Sequence, residues 1–178
     1  MTAAGSSEGA ASRQRWVAMG VCGCGKSTVG GALAGALGVP FVEGDAFHPA
    51  ANVAKMSAGR ALDDADRAGW LDALAGQIGA ARAQGTGLVL SCSALKRRYR
   101  DLLRQADPGL RFVHLHGPRE LIAARLAGRA GHYMPPALLD SQLRDLEALE
   151  PGEAGIVVDI ALPAGTLVER IIAAAGRP

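Results

Sequence analysis

Aromatic residues are scarce, at 4% of 178 residues. A core must therefore be built from Ala, Leu, Val and Ile. Cysteine is nearly absent: Cys22, Cys24 and Cys92 make an odd count of 3, which argues against a disulfide framework. Cys22 and Cys24 stand closer together than the usual zinc spacing. Reduced thiols in a cytoplasmic protein fit better. No apolar run approaches the ~18 residues of a membrane helix. Residues 1–14 are rich in Ala, Gly and Ser, lack the apolar stretch of a secretory signal, and read as a disordered tail. Charge of one sign is also lacking. A net +2 is too small to argue for a nucleic-acid surface.

What is present is 49% apolar and 20% charged, the composition of a soluble globular chain. The length suits one domain, placed over residues 15–178. Short apolar runs at Arg15–Gly20, Val39–Glu43, Leu88–Ser91, Arg111–His116 and Gly155–Asp159 read as strands. Helical stretches fall between them: 27–37, a segment within 45–59, one following Asp63, Asp64 and Asp66, then 95–105, 120–126, 137–149 and 167–175. Strand runs that are apolar on both faces, alternating with helices, predict a parallel sheet covered on both sides.

Gly20-Val21-Cys22-Gly23-Cys24-Gly25-Lys26-Ser27 fits G-x-x-x-x-G-K-[ST] without mismatch, between an apolar strand and a helix. Glycines let successive N–H groups wrap phosphates, and the following helix adds its positive end. Lys26 can reach the β- and γ-phosphates, and Ser27 can ligate magnesium. The predicted ATP site is residues 20–28, ending at Thr28. A thiol near a helix N-terminus and a lysine can acquire a lowered pKa, so a redox switch at Cys22 or Cys24 competes with a purely steric reading of two small side chains.

No N-K-x-D guanine-reading motif follows, and the third strand ends in Ser-Cys-Ser rather than an acidic residue. The acidic group instead follows the second strand, as Glu43-Gly44-Asp45. Spacing of i, i+2 on an extended segment points both carboxylates the same way. One, assigned as Glu43, could hold magnesium; the other, Asp45, could accept a substrate hydroxyl's proton. Ser93, Lys96 and Arg100 follow strand three, at the carboxyl edge where open α/β sheets bind ligands. The spacing of Lys96 and Arg100 places both on one helix face. A solvated basic face is the alternative there, since Arg97, Arg98 and Arg104 are neighbours.

Together, Met19 to Thr28, Gly44-Asp45-x-x-His48-Pro49, Asn52, Lys55-Met56, Asp64-x-Asp66-Arg67, Trp70-Leu71 and Ser91-Cys-Ser-Ala-Leu-Lys96-x-x-Tyr99-Arg100-Asp101 resemble the gluconokinase family. A later R-x-x-H segment, Arg129 to His132, adds to this, and the likeness covers nearly all the chain after the tail. The resemblance implies a P-loop three-layer α/β sandwich like shikimate and nucleoside-monophosphate kinases, with a five-stranded parallel sheet and a mobile lid at about 128–140. It implies ATP and Mg2+ as cofactors, phosphoryl transfer to the 6-hydroxyl of D-gluconate, and a homodimer. It places His48, Asn52 and His132 with Asp45, Ser93, Lys96 and Arg100 around substrate, and Arg125 and Arg129 with Lys26 and Asp45 in catalysis. Lys55 and Arg67 are further candidates. Departures are Cys22 and Cys24 for serines, Glu43 for aspartate and Ala61 for proline. Rival readings are a kinase of another small acid such as shikimate, and a nucleotide-binding regulatory protein without turnover.

Overall fold

The computed structural model describes residues 13–128 and 135–176. Five strands form one sheet: β1 (Arg15–Met19), β2 (Phe41–Glu43), β3 (Leu88–Ser91), β4 (Arg111–His116) and β5 (Gly155–Asp159). All pair in parallel, in the order β2-β3-β1-β4-β5. Seven α-helices accompany them among the described residues: α1 (Lys26–Leu37), α2 (Ala50–Ser57), α3 (Asp64–Ala83), α4 (Arg97–Ala106), α5 (Arg119–Ala127), α6 (Pro136–Asp145) and α7 (Ala164–Ala175). A 3-10 turn, Gly44–Phe47, follows β2 directly.

The apolar strand runs are explained by two cores, one per face. Trp16, Ala18, Val89, Val113 and Leu115 point to the core shared with α1, α5 and α7. Val17, Met19, Leu90 and Phe112 point to the other, closed by α3 and α4 through Trp70, Leu74, Ile78 and Leu103. Successive strand residues face opposite ways, so a strand buried on both faces has no polar position to spare.

Element ends follow local chemistry. Gly38 takes a left-handed conformation after α1, and Val39 donates its N–H back to the Ala34 carbonyl at 3.0 Å. That closure uses the amide an earlier strand start would need, so β2 begins at Phe41 rather than Val39. α3 opens with a reciprocal capping box between Asp63 and Asp66. The helix expected over 137–149 ends at Asp145. Beyond it Glu147 donates its N–H to the Leu95 carbonyl at 2.8 Å, and its carboxylate accepts from the Arg97 N–H at the start of α4. A tertiary contact thus replaces the last helical turn.

The order places β1 between β3 and β4, with connections leaving in opposite directions. The carboxyl ends of these strands are where such a sheet opens a crevice.

Candidate active site

The crevice has a volume of about 580 Å³ and is lined by residues 22–29, Glu43, Asp45, Arg125, Ile160, Leu162 and Ala164. Its floor is the glycine-rich loop joining β1 to α1. Gly23 and Gly25 have φ of 82° and 99°, in the region that favours glycine. A side chain at Gly23 would also meet Leu126 at 2.6 Å. The N–H groups of Gly23, Gly25, Lys26 and Ser27 have no backbone acceptor among the described residues. Open amides at a helix N-terminus are an anion site. Lys26 Nζ rests on the Val21 carbonyl at 3.1 Å. Burial opposes its charge, but Cys24 and the Asp45 carboxylate outweigh this and its pKa is raised.

Ser27, Glu43 and Asp45 share this crevice. A hydroxyl and two carboxylates are hard oxygen donors that suit Mg2+ beside phosphate. Glu43 is oriented by the Ser91 hydroxyl, which donates to Oε1. Ser91 Oγ also accepts the Gly44 N–H at 3.0 Å. No side chain fits at Gly44, where a Cβ would lie 1.9 Å from the Ser91 carbonyl oxygen. The close packing of the end of β2 against β3 is what sets Glu43 and Asp45 against the phosphate loop.

Behind Asp45 stands an ordered polar group. Trp70 Nε1 donates to the Gly44 carbonyl at 2.8 Å. His48 stacks on Trp70, and its side chain is only 4% exposed. Asn52 is buried, and its Nδ2 donates to the Asp66 carbonyl at 2.7 Å while lying 3.4 Å from His48 Nδ1. The Asp66 carbonyl demands a donor, so the amide cannot be turned over, and His48 Nδ1 is the acceptor. The proton then sits on Nε2, which faces Asp45 Oδ1 at 4.0 Å. Burial lowers the His48 pKa; Asp45 opposes this and Arg67 adds to it, so the ring is neutral at pH 7.

Ser93 meets Arg67, whose Nη1 donates to its Oγ at 3.4 Å. Arg67 is 6% exposed and has no carboxylate within ion-pair distance among the described residues. Lys96 pairs with Asp64 at 3.2 Å and Asp145 at 3.9 Å, and both Lys96 and Arg67 lie within 6 Å of the Tyr99 ring. Asp64 also accepts from the Tyr99 hydroxyl and from Arg98. These donors, the Tyr99 hydroxyl foremost, hold its carboxyl down at about 2.

The structure therefore brings together residues 20–28, Glu43, Asp45 and Arg125, and joins to them His48, Asn52, Ser93 and Lys96. Arg125 lies beside the loop, its Nη2 donating to the Ile160 carbonyl at 2.6 Å. Arg129 and His132 lie outside the described residues, as does the middle of the expected lid.

Arg100 is placed elsewhere than expected. It is 0% exposed. Its Nε and Nη2 grip Glu153 at 2.7 and 2.8 Å, and its remaining hydrogens go to the carbonyls of Ala94, Leu95, Glu147 and Ala148. Lys96 precedes α4 as its N-cap, so the two do not share a helix face. Arg100 instead supports the turn carrying Ser93 and Lys96, where Ala94 is held at a left-handed φ of 43°. A strained turn persists when its surroundings over-determine it.

Sequence reasoning missed the apolar wall of Ile160, Leu162 and Ala164, the Trp70 stack and the Ser91 bridge. It underrated Arg67, which a D-x-D-R-x-x-W pattern at helical spacing could have flagged as buried beside Trp70. The redox reading of Cys24 meets an opposing environment: burial raises its thiol pKa, and raises that of Cys92 to about 12.

The shikimate kinase family model matches residues 22–151. The gluconokinase of Gluconobacter oxydans (strain 621H) is 51% identical over 148 residues, covering 81% of this chain and 80% of that protein. The thermosensitive gluconokinase of Escherichia coli (strain K12) is 43% identical over 149 residues, 83% of this chain and 79% of that one. The crystal structure of a gluconokinase from Sinorhizobium meliloti 1021 superposes with a TM-score of 0.83 at 46% identity, covering 90% of each chain. Identity at this level across most of both chains, on the same fold, means that the chain belongs to the gluconokinase family within the wider shikimate kinase family.

Proposed function

We propose that this protein transfers the γ-phosphoryl group of ATP to the 6-hydroxyl of D-gluconate. The observation that carries the reading is Arg67: a buried guanidinium with no carboxylate partner among the described residues, beside Ser93 and near His48, on the acceptor side of a phosphate loop. An unpaired buried cation is costly. An anionic polyol would supply the missing charge and use the nearby hydroxyl, imidazole and ammonium groups for its own hydroxyls.

ATP lies with its phosphates on the open amides of Gly23, Gly25, Lys26 and Ser27 and its base toward Ile160, Leu162 and Arg125. Ser27 and the carboxylate of Glu43 would hold Mg2+, which supplies charge neutralisation across the phosphate oxygens. Asp45 accepts the proton of the attacking hydroxyl. The substrate oxygen bonds to the γ-phosphorus as the bond to the β-γ bridging oxygen breaks, and ADP leaves with that electron pair. Lys26 and Arg125 balance charge on the transferring group. A magnesium-dependent, cytoplasmic homodimer belongs to the same reading; loss of turnover in EDTA and mass by light scattering test the first and last of these.

The test is ADP release from Mg-ATP by the purified protein with D-gluconate, with shikimate, and with neither. Gluconate-dependent release supports the proposal. Release with shikimate alone would move the substrate to another small acid, and acceptor-independent behaviour would overturn the kinase reading.

A further inference from the structure

We propose that Gln142, on α6, is a positioning residue for the phosphate loop, acting through the amide of Cys22. Its carboxamide oxygen accepts the Cys22 N–H at 2.7 Å, from 120 positions away in the chain. This inference rests on the phosphate-loop reading but not on the identity of the acceptor.

Seven of the loop's amides fall into two sets. Gly20 donates to the Ser93 carbonyl at 3.2 Å, Cys24 to the Val21 carbonyl at 3.3 Å, and Cys22 to Gln142. Those of Gly23, Gly25, Lys26 and Ser27 meet no backbone acceptor among the described residues. The second set can converge on phosphate only while the first is held by the protein. Two of the three holding contacts come from backbone carbonyls next to the loop or at the end of β3. The third depends on one side chain. Without it the half-buried Cys22 N–H has no partner, and a rotated peptide is the cheapest way to find one.

Gln142 is presented rigidly. Leu138 and Leu139 of α6 are buried, and Asp140 is held by Arg119 of α5 through two contacts of 2.6 and 3.2 Å. Leu126 of the same α5 backs Gly23. The loop is therefore gripped from α5 and α6 together. The choice of an amide is also explained. A carboxylate would satisfy the same N–H but would place a negative charge beside the polyphosphate, whereas a neutral acceptor holds the loop without repelling its ligand.

Two variants of the full chain separate position from charge. Gln142→Met keeps the length of the side chain and removes the acceptor; Gln142→Glu keeps an oxygen acceptor. Mg-ADP binding is measured by titration calorimetry, and hydrogen exchange of the Cys22 amide by NMR. Gln142→Met is expected to weaken Mg-ADP about tenfold and to speed exchange at Cys22, with only a small fall in the unfolding midpoint. Gln142→Glu is expected to keep that amide protected and to weaken Mg-ADP mainly at low salt, where the added charge is unscreened. Wild-type affinity in Gln142→Met would overturn the proposal, as would equal loss of Cys22 protection in both variants. Mg-ADP binding needs no phosphoryl acceptor, so a wrong substrate assignment would leave this result standing.

Discussion

His48 lies flat against Trp70, with ring centroids 4.1 Å apart and planes 16° from parallel. The indole is itself fixed, because its N–H is spent on the Gly44 carbonyl at 2.8 Å. The backbone between the two acidic residues thus sets the height of the imidazole, and the imidazole sets what faces Asp45.

Trp70→Phe keeps a ring for His48 and removes the donor to Gly44. The buried carbonyl loses that donor, and stability should fall by ~1 kcal/mol in urea unfolding. With the Glu43–Asp45 turn loosened, KM for gluconate should rise more than KM for ATP. Equal changes in both would mean that the stack serves the core rather than the acceptor side.

Arg100 and Glu153 form a fully enclosed ion pair, each side chain 0% exposed, with Arg104 as a second partner at 2.8 Å. Removing Arg100 leaves the enclosed carboxylate with only Arg104 and the Glu150 N–H, so part of its charge is stranded and Arg100→Met should cost ~1.5–3 kcal/mol. Adding Glu153→Leu should recover part of that loss, because the stranded carboxylate is gone. A single variant within about 1 kcal/mol of wild type would show that water reaches the site and that the turn at Ala94 is held by other means.

These cases mark where the sequence was legible. Strands, phosphate loop and the acidic pair were readable because each is written in adjacent residues: continuous apolar runs, glycines before Lys26, carboxylates two apart. Arg100 was misread because its partner is 53 positions away and a charged residue within a basic helix resembles a solvated one. Gln142 carried no signal, as an amide on an amphipathic helix satisfies the local pattern in any role. The wall formed by Ile160 and Leu162 was hidden for the same reason: apolar residues after a strand look like core until the crevice is seen. The early end of α6 depended on the Leu95 carbonyl, which no local propensity encodes.

Acid should lower the protein's stability over two pH windows. His114 is buried, its Nδ1 has no partner among the described residues, and burial, followed by His116 and Arg100, pushes its pKa from 6.5 down to about 4. Between those values the unfolded chain takes up a proton that the folded chain refuses, so stability falls as pH drops through this window. The slope reaches at most ~1.4 kcal/mol per pH unit. His48, also lowered, adds to the same window. Glu153 acts further down: burial would raise its pKa, but the hydrogen bonds of Arg100, Glu150 and Arg104 take it from 4.5 to about 2. Its contribution is present above 4.5 and is lost as pH falls toward 2. Chemical denaturation at pH 7.5 and pH 5 should show a smaller difference in His114→Leu than in wild type; an identical difference would rule His114 out as the source.

In the proposed reaction, Asp45 is the residue on which the chemistry turns. Its carboxylate is 70% exposed, lies in the crevice with Lys26 and Ser27, and is 4.0 Å from the N–H-bearing nitrogen of a neutral His48. An exposed carboxylate in this position can do two different things: take the proton of the attacking hydroxyl, or bind the metal that accompanies ATP. Asp45→Asn separates them, since the amide keeps the shape and loses the negative charge and the basicity. If Asp45 is the base, kcat should fall by ~10²–10⁴-fold while Mg-ADP binds as in wild type. If it holds the metal, Mg-ADP affinity should fall with kcat, and raising Mg2+ should restore part of both. Glu43→Gln, whose carboxylate is already engaged by Ser91, gives the counterpart. A loss of Mg-ADP affinity in Glu43→Gln together with its retention in Asp45→Asn would divide the pair into a metal ligand and a base, although both stand on the same turn, on either side of Gly44.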